Sequence, residues 1–167
     1  KHYRLAREAA RECIILLKNE ENILPLKREG NIAIIGAFAK NPRYQGGGSS
    51  HINPTKIDNA YEEIVKSVGG SARITYADGY RLEDDNIDEN LINEAKQIAA
   101  VADVAVVFAG LPERYESEGY DRKNMKMPEN HLALIETVSL VQSNIVVVLN
   151  NGSPIEMPWI NKVKGLL

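Results

Sequence analysis

Cysteine occurs once in these 167 residues, at Cys13, which excludes an internal disulfide and any multi-thiolate metal site. There is no basic surplus: 20 Lys and Arg stand against 23 Asp and Glu, a formal charge of −3. Phosphate-backbone and anionic-membrane binding both rest on such a surplus, so neither nucleic acid nor a membrane surface is an expected partner. No apolar run approaches the ~20 residues that span a bilayer. Lys1-His2-Tyr3-Arg4 opens a charged helix and is no signal peptide. The chain starts inside a helical pattern and stops at Val163–Leu167, part-way into a new apolar element, so it reads as a piece of a longer polypeptide and leaves the compartment open. What is present, 44% hydrophobic and 26% charged residues, suits one globular domain with a core.

Two periods alternate along the chain. Leu5, Ala9, Cys13 and Leu16/Leu17 have helical spacing over 4–18, and the run Cys13–Leu17 is apolar all round, so that end of the helix is expected deep in the core, with Cys13 inert there. Helices are also predicted from Ile57–Val68, stopped by Gly69-Gly70, from Leu91–Ala99 and from Leu132–Val141. Between them lie strands at Asn31–Gly36, Arg73–Tyr76, Val104–Ala109 and Ile145–Leu149. The strongest strands lack in/out alternation, the pattern of a parallel sheet covered on both faces. The fold class predicted is α/β: a three-layer α/β/α sandwich with a mainly parallel sheet, in a flavodoxin-like arrangement. Ligands of such sheets gather beyond the carboxyl ends of the strands. The loops there are 36–55, 77–88, 110–128 and 150–158, and two of them are long for a compact domain.

Tyr44–His51 contains Gly46-Gly47-Gly48-Ser49-Ser50. It lacks the Lys-Ser/Thr of a P-loop and the Gly-x-Gly-x-x-Gly that opens a dinucleotide-binding helix, so no nucleotide cofactor is expected. It is either a flexible turn or a loop whose backbone approaches a ligand closely, with Ser49 and Ser50 as hydrogen-bonding groups. His51 beside it is a weaker candidate. Glu113–Arg122 packs four acids, Glu113, Glu116, Glu118 and Asp121, into nine residues. Such a run is ordinarily solvated surface. Against that, Gly119 permits a sharp turn presenting Glu118, and crowded acids raise a carboxyl pKa, as a general acid requires. Asp121 and Arg122 read as loop-fixing ion pairs. His2 reads as surface and His131 as surface or a cap neighbour. Trp159 reads as a packing aromatic, with a sugar platform as the alternative. No His/Asp/Glu spacing suggests a metal site. A phosphoacceptor domain of the same fold class needs acids after its first and middle strands, where this chain has Gly36-Ala37-Phe38 and Ala109-Gly110.

Five segments together resemble one family: Ala6–Asn19 with Leu24-Pro25-Leu26; Ile32–Gly36; Gly46–Ser50 with Pro54; Glu116-Ser117-Glu118-Gly119-Tyr120-Asp121-Arg122 with Met127-Pro128; and Val146–Val148 through Asn151-Gly152-Ser153-Pro154-Ile155 to Pro158-Trp159. In this order they resemble the second, α/β-sandwich domain of glycoside hydrolase family 3, and its β-glucosidases most. Cys13 departs from the Ser frequent there and touches nothing catalytic. The resemblance covers nearly the whole of 1–167 and implies a domain of a larger enzyme, with a (β/α)₈ barrel in the same polypeptide as its partner. Retaining enzymes of this kind use two carboxyl groups ~5–5.5 Å apart. The nucleophilic Asp belongs to the barrel, and nothing here resembles its motif. The acid/base carries over to Glu118, with Glu116 two residues away as runner-up. Gly48, Ser49, Ser50 and His51 carry over as sugar contacts, Ser49 foremost. The implied substrate is a β-glucoside or oligosaccharide, with no cofactor and no metal. The alternative is a non-catalytic carbohydrate-binding or interaction domain that keeps the fold.

Overall fold

The computed structural model describes residues 2–167. In chain order the elements are α1 (His2–Cys13), β1 (Lys18–Asn19), β2 (Gly30–Ile35), α2 (Ala60–Val68), β3 (Ala72–Ala77), α3 (Glu89–Ala100), β4 (Val104–Gly110), α4 (Glu129–Ser139), β5 (Ile145–Asn150) and β6 (Gly165–Leu166). One six-stranded sheet runs β1-β6-β5-β4-β2-β3. Its five strands from β3 to β6 are parallel, and β1 pairs antiparallel with β6. Counted from β2, the parallel strands stand in the order 2-1-3-4-5, the flavodoxin-like arrangement expected.

Local chemistry explains the element ends. The Asn59 side chain caps α2 by accepting the Glu62 N–H at 2.8 Å, and Gly69 closes it in the left-handed conformation. Asp88 caps α3 through the N–H groups of Asn90 and Leu91. Right-handed crossovers place α2 on one face of the sheet and α3 and α4 on the other. On the first face, the Tyr61 ring of α2 meets Tyr76 of β3 at 5.2 Å. On the second, the Gln142 amide just past α4 donates to the carbonyls of Ala99 in the last turn of α3 and Ala102 just beyond it. Ile32–Ile35, Ala105–Ala109 and Ile145–Val147 are buried between the layers with Leu134, Ile135, Val138 and Trp159. Trp159 is thus a packing aromatic.

α1 departs from expectation. It ends at Cys13 and buries none of its residues, and Cys13 is exposed. Ile14–Leu17 leave the helix and stay exposed. The cause is the sheet edge. Leu17 N–H donates to the Leu166 carbonyl at 2.9 Å, so the apolar run is drawn out toward β1 and its side chains find no cover among the described residues.

The connections from β2 and β4 depart to opposite sides of the sheet, β2 onward to β3 and β4 onward to β5. Such a switch point opens a crevice beyond the carboxyl ends of the two strands. Gly36 makes the exit from β2 possible. Its φ is +111°, and a Cβ there would lie 2.1 Å from the Phe108 carbonyl oxygen of β4.

Candidate active site

The loops after β2 and β4 meet over this crevice. Gly47 forms a parallel bridge with Ser117, which bridges back to Tyr120 in an antiparallel turn. That turn exposes Glu118 beside the glycine loop. The Ser49 hydroxyl lies 2.7 Å from both Glu118 carboxylate oxygens, and the Ser49 N–H donates at 3.3 Å. Gly48, at φ +86°, passes so close that a Cβ would sit 3.2 Å from Glu118 Oε2. The glycine that lets this carboxylate in is therefore Gly48. Gly119, named for a sharp turn, has no left-handed φ and faces open space. An open cleft of about 730 Å³ runs from here past Tyr120, Arg122 and Ser153.

The two glutamates occupy opposite environments. Glu118 is exposed. Glu116 keeps only 14% of its side-chain surface, and Arg43, the Ser153 hydroxyl and the Gly152 N–H all donate to it, the last at 3.0 Å. Both carboxyls lie below their ordinary range, which corrects the expectation that crowding raises one. For Glu116, burial pushes upward and is outweighed by Ser153, Gly152 and Arg43. For Glu118, the Ser49 hydroxyl stabilises the ionised form most, followed by the Ser49 N–H. Arg43 compensates the charge of Glu116.

Of the other candidates, only Ser50 joins this contact: its backbone N–H favours the ionised Glu118, and the residue lines the same cleft. Ser50 turns its hydroxyl to the Gly46 carbonyl at 2.9 Å, and His51 Nε2 meets Glu113 at 3.0 Å. Asp121 and Arg122 form no ion pair among the described residues; Arg122 donates to the Pro154 carbonyl. His131 is not at the surface. It is fully buried, and its Nδ1 accepts the Gly110 N–H at 3.2 Å, under the exit of β4. His131, Leu134, Ile135 and Val138 form one helical stripe, the signal that places the histidine inward. Arg43, Gly152 and Ser153 are site residues that linear reading missed. Nothing local marks Arg43, whose partner Glu116 lies 73 positions away.

A doubly wound α/β domain with an accessible carboxylate at its switch point, held by a glycine loop, presents a group that can exchange a proton with a bound ligand. The model of the "Glycosyl hydrolase family 3 C-terminal domain" matches residues 14–167, and the chain belongs to that family. It is 65% identical over 166 residues to the thermostable beta-glucosidase B of Acetivibrio thermocellus, covering 99% of this chain and 22% of the relative. It is 43% identical over 176 residues to an exo-alpha-(1->6)-L-arabinopyranosidase of Bifidobacterium longum, covering 99% and 23%. The crystal structure of the GH3 beta-glucosidase of Bifidobacterium adolescentis superposes with a TM-score of 0.90 at 42% identity, covering 99% and 24%. The chain thus spans about a quarter of the length of these relatives.

Proposed function

We propose that residues 1–167 form the sandwich domain of a retaining β-glucosidase and supply its general acid/base, Glu118. The nucleophile comes from a (β/α)₈ barrel elsewhere in the same polypeptide. The observation that carries this reading is the contrast between the two glutamates. Glu116 is enclosed and saturated by three donors, while Glu118 stands open to the cleft, where an incoming glycosidic oxygen can reach it. The names of the relatives support hydrolysis of glycosides, a β-glucoside first.

The acid role requires Glu118 to be protonated before bond cleavage, and Ser49 favours the ionised form. Substrate and a docked barrel reverse that balance, because a desolvated carboxyl facing a second carboxylate ~5–5.5 Å away is pushed upward. Gly48 and Ser49 then border the sugar, with Ser50 and His51 further along the loop.

The test is Glu118→Ala in the full-length protein. Loss of acid/base help costs roughly 10²–10⁴-fold. It should fall hardest on glucosides with poor leaving groups, and azide should restore turnover of activated aryl glucosides by attacking the accumulated glycosyl-enzyme. Unchanged activity on poor leaving groups would remove Glu118 from the role and leave Glu116; if Glu116→Ala is unchanged as well, the acid/base lies outside this chain, which is then a binding domain.

A further inference from the structure

We propose that Glu116 is a positioning residue: its carboxylate locks together the loops after β2, β4 and β5, and so fixes where Glu118 stands. The inference rests on Glu118 being the acid/base and adds a second residue to the same machinery.

Each partner of Glu116 comes from a different loop. Arg43 lies after β2, three positions before Gly46; Gly152 and Ser153 follow β5; Glu116 itself follows β4, two positions before Glu118. Arg43 also donates to the Leu111 carbonyl at 2.8 Å, where the chain leaves β4. One carboxylate thereby ties both halves of the Ser49–Glu118 contact to the sheet, on either side of the Gly47–Ser117 bridge. The surroundings demand a carboxylate. All three partners are donors, and only an ionised acid offers acceptors alone. An amide could keep its oxygen on Arg43 and Gly152 and turn its NH₂ to the Ser153 hydroxyl, which can accept, so what it cannot supply is the charge. The Arg43 guanidinium, only 13% exposed, would then lose its counter-charge.

A residue that acts through Glu118 loses its effect when Glu118 is gone. In the full-length protein, kcat/KM is measured for one activated and one poor-leaving-group glucoside in Glu118→Ala, Glu116→Gln and the double variant, with and without azide. Glu116→Gln alone should lower turnover of the poor-leaving-group substrate by about tenfold or more, with a smaller loss on the activated one and no azide rescue. The double variant should match Glu118→Ala within about threefold, the non-additivity of residues acting as a unit. Thermal midpoints of all variants are read alongside, and Ser153→Ala, which leaves the Arg43 pair intact, repeats the cycle if Glu116→Gln does not fold. Losses that multiply in the double variant would overturn the proposal and make Glu116 a stability residue. Azide rescue of Glu116→Gln, with Glu118→Ala unaffected, would make Glu116 itself the acid/base. A Glu118→Ala variant with neither leaving-group dependence nor rescue removes the reading beneath, and this inference with it.

Discussion

His131 carries no charge in the folded chain. Burial is the main cause of its pKa of about 3, and Arg114 adds to it against the opposing pull of Asp85. Its Nδ1 accepts the Gly110 N–H, so the ring proton sits on Nε2, which has no partner among the described residues. The ring lies 3.7 Å from that of Tyr80 and 5.7 Å from that of Phe38, centroid to centroid. In the unfolded chain the same histidine takes up a proton near pH 6.5. Between that value and about 3 the unfolded state binds the extra proton, so stability is complete above pH 6.5 and falls as pH is lowered, by at most ~1.4 kcal/mol per unit. His131→Gln removes the titration. Its urea midpoint should change less than the wild type's between pH 6.5 and 5, a window above the main losses from Asp85 and Glu116, whose pKa values are lowered. Equal slopes for the two proteins would contradict this account.

Elements rather than single side chains decide what a glycine tolerates. At the end of β2, Gly36→Ala demands φ +111° of a residue with a Cβ and drives that atom into the backbone of β4. The dihedral alone costs about 1–3 kcal/mol, and the Phe108 carbonyl is held in place by the buried Tyr80 hydroxyl, which donates to it at 2.9 Å. The denaturation midpoint should drop by more than the dihedral cost. Gly119→Ala, in open space at an ordinary φ, should stay within about 0.5 kcal/mol of wild type. A near-neutral Gly36→Ala would show that the β2–β4 approach is looser than drawn. The elements around these glycines were legible in the sequence to different degrees. β4 and β5 announced themselves as apolar runs without alternation, β2 and β3 as shorter ones, and α2 and α3 by apolar spacing; the capping roles of Asn59 and Asp88 are visible only in the structure. β1 and β6, two residues each, are too short to carry any period. The fate of Cys13–Leu17 was misjudged because an apolar run is evidence of burial only where a partner surface exists. At the site, Ser49 and Glu118 were nominated from their own loops and the fold brings them together. The Arg43–Glu116–Ser153 group was illegible, since it exists only where three distant loops converge.

Under the proposed function, the whole chain offers one carboxylate to a reaction that uses two. The isolated 167-residue protein should therefore hydrolyse no aryl β-glucoside above the level of its own Glu118→Ala variant, while the full-length protein does. A time course of released aglycone checks this, and turnover by the isolated chain would mean that a second carboxyl group within it serves as nucleophile. The sheet carries a further consequence, for the order in which the molecule is made. Residues 18–19 find their place only against residues 165–166, so β1 leaves the ribosome long before the strand it pairs with. Closing that loop adds an entropic cost that grows slowly with length, about 0.6 kcal/mol per doubling. Until β6 arrives, the outer backbone edge of β5 at Val146 and Val147 is uncovered, a template on which a neighbouring nascent chain can add a strand. The edge of the sheet synthesised first is thus the edge completed last, and the interval between the two is set by the speed of translation.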